Sequence, residues 1–304
     1  MSTIAGIGSA PVSYGVFGGA DTSHLAVQPS ELLAAMAAAG YTGSELGPPG
    51  FFGDPEQTAA AFAAAGMTVV GAYVPLHLSA SDDQLAADLE AMRRTLDELA
   101  ACGNADALAI LADEGDDELI RHPFRAADDR SRGMSPEQWD LAAERVEAAV
   151  ELARSFGVGT SFHPHFATYV EKPWEIEELL RRTQVDLCLD TGHFHLGGAD
   201  PIEWLRRWAH RINHVHLKDV RQQVLDDARR RQDEDFEAWW ESLCVPLGRG
   251  DVDVDGFVAA LTQVDYAGWI VIEQDRGPAT ASAWDGIAKD QRANREWLAA
   301  RLAS

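Results

Sequence analysis

Cysteine is scarce in this chain. Its three cysteines in 304 residues, Cys102, Cys188 and Cys244, lie far apart and form no CxxC pair. That spacing excludes a disulfide framework and a zinc ribbon, and it suits a reducing cytoplasm. Positive charge is also short: 25 Lys and Arg face 49 Asp and Glu, a net charge of −24. Such a balance repels nucleic acid and anionic membranes on average. Lysine is the scarcer base, present only as Lys172, Lys218 and Lys289. No run of eighteen apolar residues occurs, and the alanine-rich stretches 32–39 and 59–65 are too short to span a bilayer. The N-terminus carries no basic segment leading into a long apolar one. The expectation is a cytoplasmic protein with no nucleic-acid or membrane partner.

What is present is a regular beat. Short apolar runs at 4–10, 41–47, 67–77, 105–112, 159–162, 185–190, 212–218 and 269–273 read as strands. Between them lie helical patterns at 31–39, 55–65, 82–101, 136–156, 173–183, 201–209 and 283–300. Ser30 is the expected cap of the first helix, and Ser135 with Gln138 forms a capping box for the fourth. Strands alternating with helices imply a parallel sheet, and eight units imply a (β/α)8 TIM barrel, read as one domain over 1–304. Two connections are too long for plain loops: 114–134 after strand four and 219–255 after strand seven. The second holds a charged helical run at 225–235 and the pair Trp239-Trp240. Both belong to the face where strands end, as a wall over a ligand or as a contact between subunits. Homo-oligomerisation is left open.

The strand ends carry the chemistry. The stretch 185–201, VDLCLDTGHFHLGGADP, stops its apolar run at Asp190, with His193 and His195 close behind. INHVHLKD at 212–219 and WIVIEQDR at 269–276 are likewise apolar first and polar last. Residues two apart on a strand share a face, so His214, His216 and Lys218 point together, as do His163 and His165. His214, deepest in its strand, reads as a satisfied core histidine. Glu45, His77, His163, Asp190, His216 and Glu273 all converge on the barrel mouth. Buried carboxylates and imidazoles without a cation carry a large desolvation cost. A divalent ion relieves it, and mixed His and carboxylate donors suit Mn, Co, Fe or Zn.

At Asp190-Thr191-Gly192-His193, His214-Val215-His216-Leu217-Lys218-Asp219 and Ile272-Glu273 the chain resembles the xylose-isomerase-like TIM-barrel superfamily of sugar isomerases, epimerases and dehydratases. Three further stretches are most similar to inosose (2-keto-myo-inositol) dehydratases: His163-Pro164-His165 followed by Thr168 and Glu171, residues 197–201, and residues 246–253. The resemblance covers essentially the whole chain. It implies one divalent metal held by His163, Asp190, His216 and Glu273, with His165 an alternative to His163 at strand five. Ketose epimerases of the superfamily place a glutamate there, opposite the strand-eight glutamate. Here the position is His163, which favours dehydration over two-carboxylate epimerisation. The implied activity is α-proton abstraction and β-elimination of water on a keto-inositol or related keto sugar. The alternative is an epimerase or isomerase acting through a metal-bound enediolate. The implied roles are Glu273 as ligand and base, His193 or His165 as acid, and Glu45, His77, Lys218 and Arg276 as hydroxyl-orienting groups.

Overall fold

The computed structural model describes residues 4–17, 27–233, 235–278, 280 and 282–303. Its centre is a closed barrel of eight parallel strands. In chain order these are β1 (Gly6–Ser9), β2 (Gly43–Leu46), β3 (Thr68–Leu76), β4 (Leu108–Asp113), β5 (Gly159–Phe162), β6 (Leu187–Asp190), β7 (Ile212–Leu217) and β8 (Trp269–Ile272). Each pairs with its neighbour in sequence, and β8 closes on β1 through Gly6 opposite Trp269 and Ser9 opposite Ile272. The expected (β/α)8 barrel is the observed one.

The strands alternate between two environments. Outward residues such as Val74, Leu76, Leu189, Val215 and Leu217 join one apolar layer with the surrounding helices. A smaller cluster of Ala10, Val70 and Val271, with Trp269 packed against it, lies apart from that layer. Parallel strands buried on both faces need this near-continuous apolar character.

The helices of the outer ring are α1 (Pro29–Ala39), α2 (Pro55–Ala65), α3 (Asp82–Cys102), α5 (Pro136–Ser155), α6 (Pro173–Arg182), α8 (Pro201–Trp208), α11 (Val254–Gln263) and α12 (Trp284–Leu302). The first departs from the sequence expectation: it begins at Pro29, so Ser30 lies inside its first turn. Pro29 has no N–H to satisfy, and the Glu31 carboxylate accepts the Gln28 N–H at 3.0 Å. The capping box at Ser135 and Gln138 is present as expected.

Both long connections fold back over the strand ends. The one after β4 contains α4 (Asp117–Arg121). The one after β7 opens with a two-residue strand, Asp219–Val220, paired antiparallel with Cys244–Val245. Between these lie α9 (Gln222–Arg231) and α10 (Phe236–Leu243), where one helical run was expected at 225–235. Gln232 takes a left-handed conformation (φ 51°), which ends α9 four residues short of the expected run, and a second helix follows beyond it. No described helix is long and apolar enough to cross a membrane.

Candidate active site

An element beyond the sequence reading lies just past β6. The strand ends at Asp190 as expected, and Thr191–Gly197, left without an assigned element in the sequence reading, forms a short helix, α7. Asp190 causes the switch. Its Oδ1 accepts the N–H groups of Gly192 (2.8 Å) and His193 (2.9 Å), capping α7, while Oδ2 is left for the barrel interior. Gly192 is required here, since a Cβ would come within 2.9 Å of the Lys218 side chain passing beside it. Thr191 Oγ1 donates to the Lys218 carbonyl at 2.7 Å, and the Lys218 N–H donates back to Thr191 Oγ1 at 2.9 Å. The ends of β6 and β7 are thereby locked together.

Four potential ligand atoms, one each from His163, Asp190, His216 and Glu273, lie within 4.8 Å of one another, and all four residues are buried. They come from the ends of β5, β6, β7 and β8. His163, rather than His165, supplies the strand-five member. His163 Nε2 is 3.4 Å from Asp190 Oδ2, and His216 Nδ1 is 3.2 Å from Glu273 Oε2. Below them, Glu45 Oε1 accepts from His214 Nε2 (2.8 Å) and His216 Nε2 (2.7 Å). His214 is thus the satisfied core histidine that its depth suggests. Glu45 faces inward as expected, but its Oε1 is taken up by the two imidazoles. Glu45 holds the Nε2 side of the His216 ring, whose Nδ1 turns toward the cluster without an aligned hydrogen-bond partner; against burial, neighbouring Cys188, Glu273 and Glu45 raise the ring well above the ordinary imidazole range.

Lys218 is fully enclosed beside this group, 1% exposed. Its Nζ lies 3.2 Å from Asp190 Oδ2, 3.0 Å from Glu273 Oε2 and 3.0 Å from Asp275 Oδ1. Burial alone would raise the Asp190 carboxyl, but the Lys218 charge and the neighbouring His193 and His163 hold it well below the usual carboxylate range. Burial likewise acts against ionisation of Glu273, and His216 and Lys218 overcome it and lower its pKa. Glu45 is held down to about 2, against the effect of burial, by His216 and His214.

The two remaining imidazoles present opposite faces. Burial lowers the His165 pKa to about 4, and burial with the adjacent Lys218 charge lowers His193, so both rings are neutral near pH 7. His165 Nδ1 is 2.9 Å from the Phe166 carbonyl, which only accepts, so its proton sits on Nδ1 and Nε2 carries a lone pair. His193 Nδ1 faces the Phe166 N–H at 3.2 Å and Nε2 faces the Lys218 ammonium at 3.1 Å, two donors of which the neutral ring can accept only one. The Phe166 carbonyl therefore sets the His165 tautomer.

A roof of aromatic rings covers this side. Trp240 stacks on His193 (centroids 5.5 Å apart) and donates its indole N–H to Asp275 Oδ2 at 3.0 Å. Trp239, buried, packs on Phe124, Phe166 and Phe236. The wall reading of the Trp pair fits this arrangement. The connection after β4 joins in through Arg125, which is buried and paired with Glu175 (2.6 Å) and Glu171 (3.2 Å) at the start of α6. Two expected residues lie elsewhere. His77 Nδ1 is 3.1 Å from Asp88 on α3, and Arg276 pairs with Asp290 on α12. Asp275, which the sequence reading passed over, was detectable only by its two-residue spacing from Glu273.

Ligand-bearing strand ends converging at the C-terminal mouth of a closed parallel barrel are the arrangement of an α/β-barrel enzyme site. The xylose isomerase-like TIM barrel family matches residues 33–301, and the chain belongs to it. It is 31% identical over 255 residues to an inosose dehydratase of Geobacillus kaustophilus (strain HTA426), covering 83% of this chain and 81% of that protein. It is 32% identical over 256 residues to the rhizopine catabolism protein MocC of Rhizobium meliloti, covering 83% of this chain and 76% of the relative. Among solved structures, an L-ribulose 3-epimerase superposes with a TM-score of 0.71 at 18% identity, covering 99% of this chain and 95% of the other. At that identity the superposition speaks to the fold.

Proposed function

We propose that this protein is a metal-dependent hydro-lyase that removes water from a keto-inositol or a related keto sugar. The chain is an enzyme acting on carbohydrates, and a relative named inosose dehydratase matches it over 83% of its length. The observation that carries the reading is the four-residue ligand group with an unpartnered, buried His216 Nδ1 aimed into it. Two imidazoles and two carboxylates fit a divalent transition ion. Bound by His163, Asp190, His216 and Glu273, such an ion supplies Lewis-acid polarisation of the substrate ketone.

The protein's own groups provide the proton chemistry. Glu273, ionised, accepts the proton from the carbon α to the ketone. As the β-carbon–oxygen bond breaks, the departing hydroxyl takes a proton from the hydrogen-bonded pair of His193 Nε2 and the Lys218 ammonium, 3.1 Å apart, and leaves as water. The substrate becomes an enone, and the proton on Glu273, whose Oε2 is 3.0 Å from Lys218 Nζ, returns to that pair, closing the balance. His165 offers a lone pair at Nε2, so it suits accepting a substrate hydroxyl rather than acting as the acid. Lys218 holds Asp190 and Glu273 ionised, and the Trp240 roof keeps water from the reacting carbons. His163 in place of a strand-five glutamate leaves no second carboxylate to reprotonate the opposite face. Elimination is therefore favoured over epimerisation.

The test is incubation of Mn2+- or Co2+-loaded protein with 2-keto-myo-inositol in D2O. The expected result is growth of enone or dione absorbance with deuterium exchange at the α-carbon. Exchange accompanied by epimer and no loss of water would replace this reading with an epimerase. A second expectation concerns Glu45. Glu45→Gln removes the carboxylate that holds the Nε2 side of the His216 ring, so Mn2+ affinity should fall about 10- to 100-fold. Titration calorimetry reads this directly, and unchanged affinity would show that His216 is held by something else.

A further inference from the structure

One polar pair at the barrel mouth takes no part in the chemistry above. On β3, Val74 and Leu76 are buried in the layer against the helices. Tyr73 and Pro75, out of phase with them, face the opposite way, into the barrel mouth. Inward side chains of such a barrel are normally packed in layers. Tyr73 is instead 41% exposed. Its Oη donates a 2.8 Å hydrogen bond to Glu114 Oε1, just beyond β4.

The pair is held from three connections. The Glu114 N–H bonds the Leu76 carbonyl at 2.9 Å. The adjoining Asp113 carboxylate, buried, accepts the N–H groups of Leu78 (3.2 Å) and Tyr169 (2.8 Å), tying together the segments after β3, β4 and β5. Gly115 then turns with φ 64°, and a Cβ there would lie 2.9 Å from the Ala167 carbonyl. The Tyr73 phenol is raised by the surrounding barrel wall, by Glu114 and Asp113, and by the charge of Glu273 across the mouth, and so keeps its proton.

We propose that Tyr73 and Glu114 form a subsite for a vicinal diol on the substrate ring, remote from the reacting carbons. Because Tyr73 donates to Glu114, the phenol oxygen keeps a lone pair for one substrate hydroxyl, and the free carboxylate oxygen accepts from its neighbour. Two acceptors side by side match two adjacent hydroxyl donors, which a cyclitol or a sugar ring provides and a monohydroxy ketone does not. A charged acceptor makes the stronger of the two bonds. The subsite deepens the keto-cyclitol reading and rests on it for the identity of the ring.

The experiment compares wild type, Tyr73→Phe and Glu114→Gln. It measures kcat and KM with 2-keto-myo-inositol, and calorimetric binding of myo-inositol and of a monodeoxy-inositol series as non-reacting probes. Tyr73→Phe removes one oxygen from an exposed side chain, so an unchanged Tm checks that the fold is intact. The expected result is a KM increase of about tenfold for each variant, with kcat falling less than about threefold. Myo-inositol binding should weaken in parallel. One deoxy-inositol should bind wild type weakly yet bind Tyr73→Phe no worse than myo-inositol does. If both variants bind myo-inositol and turn over substrate as wild type does, the subsite is overturned. If wild type binds myo-inositol through Tyr73 but dehydrates no keto-cyclitol, the dehydratase reading fails and the subsite stands.

Discussion

Asp190→Asn is expected to strip the site of divalent metal while leaving the barrel folded. The two oxygens of Asp190 have separate duties. Oδ1 caps α7 through the N–H groups of Gly192 and His193, and an asparagine Oδ1 can accept both. Oδ2 faces His163 and Lys218 with its negative charge, and the neutral amide cannot replace it there. An NH2 in that place would also oppose the Lys218 ammonium, 3.2 Å away. Losing a cation that contributes several kcal/mol of transition-state stabilisation corresponds to a fall in kcat on the order of a thousandfold or more. Metal analysis of the purified variant, its kcat and its melting curve test the three parts together. Stoichiometric metal in Asp190→Asn would remove Asp190 from the ligand set.

How much of this site was legible in the sequence depended on periodicity. Where ligands sit on strands, the two-residue spacing carried the answer, as with His214 and His216 on β7. Depth along a strand further separated the satisfied His214 from the cluster member His216. Where the backbone changes state at a functional residue, spacing was silent. Asp190 ends a strand and caps a helix at once, so His193 follows helical rather than strand geometry. The His165 tautomer depends on the Phe166 carbonyl, and His193 sits between the Phe166 N–H and Lys218 Nζ; no side-chain pattern encodes either. Glu45, read as a substrate contact, lies under His216 because β2 and β7 face each other across the barrel. Such a cross-barrel contact leaves no local trace in sequence. Tyr73 was hidden for another reason: a tyrosine in a β-rich run reads as core, and only the closed barrel shows that its face opens to solvent.

The largest effect on stability is expected from Lys218→Met. Lys218 is the buried counter-ion to Asp190, Glu273 and Asp275, at 3.0 to 3.2 Å from each. A methionine fills similar volume and leaves those carboxylates without it. Breaking a buried pair by removing one partner costs about 3–5 kcal/mol. For a chain of this size that corresponds to a Tm lower by roughly 5–8 °C. The acid limb should change with it. Asp190 and Glu273 have folded pKa values below their unfolded ones, so their contribution is present above about pH 4 and is lost as pH falls toward the depressed values. Without Lys218 that depression shrinks, and acid unfolding should cost the variant less additional stability than it costs wild type. The decisive comparison adds metal. A divalent cation restores positive charge where Lys218→Met has removed it, so saturating Mn2+ should raise the Tm of the variant by more than it raises that of wild type. Differential scanning calorimetry with Mn2+ and with EDTA gives both shifts. Equal shifts would mean that Lys218 and the cation do not act on the same carboxylates, and the charge balance described for this site would be wrong.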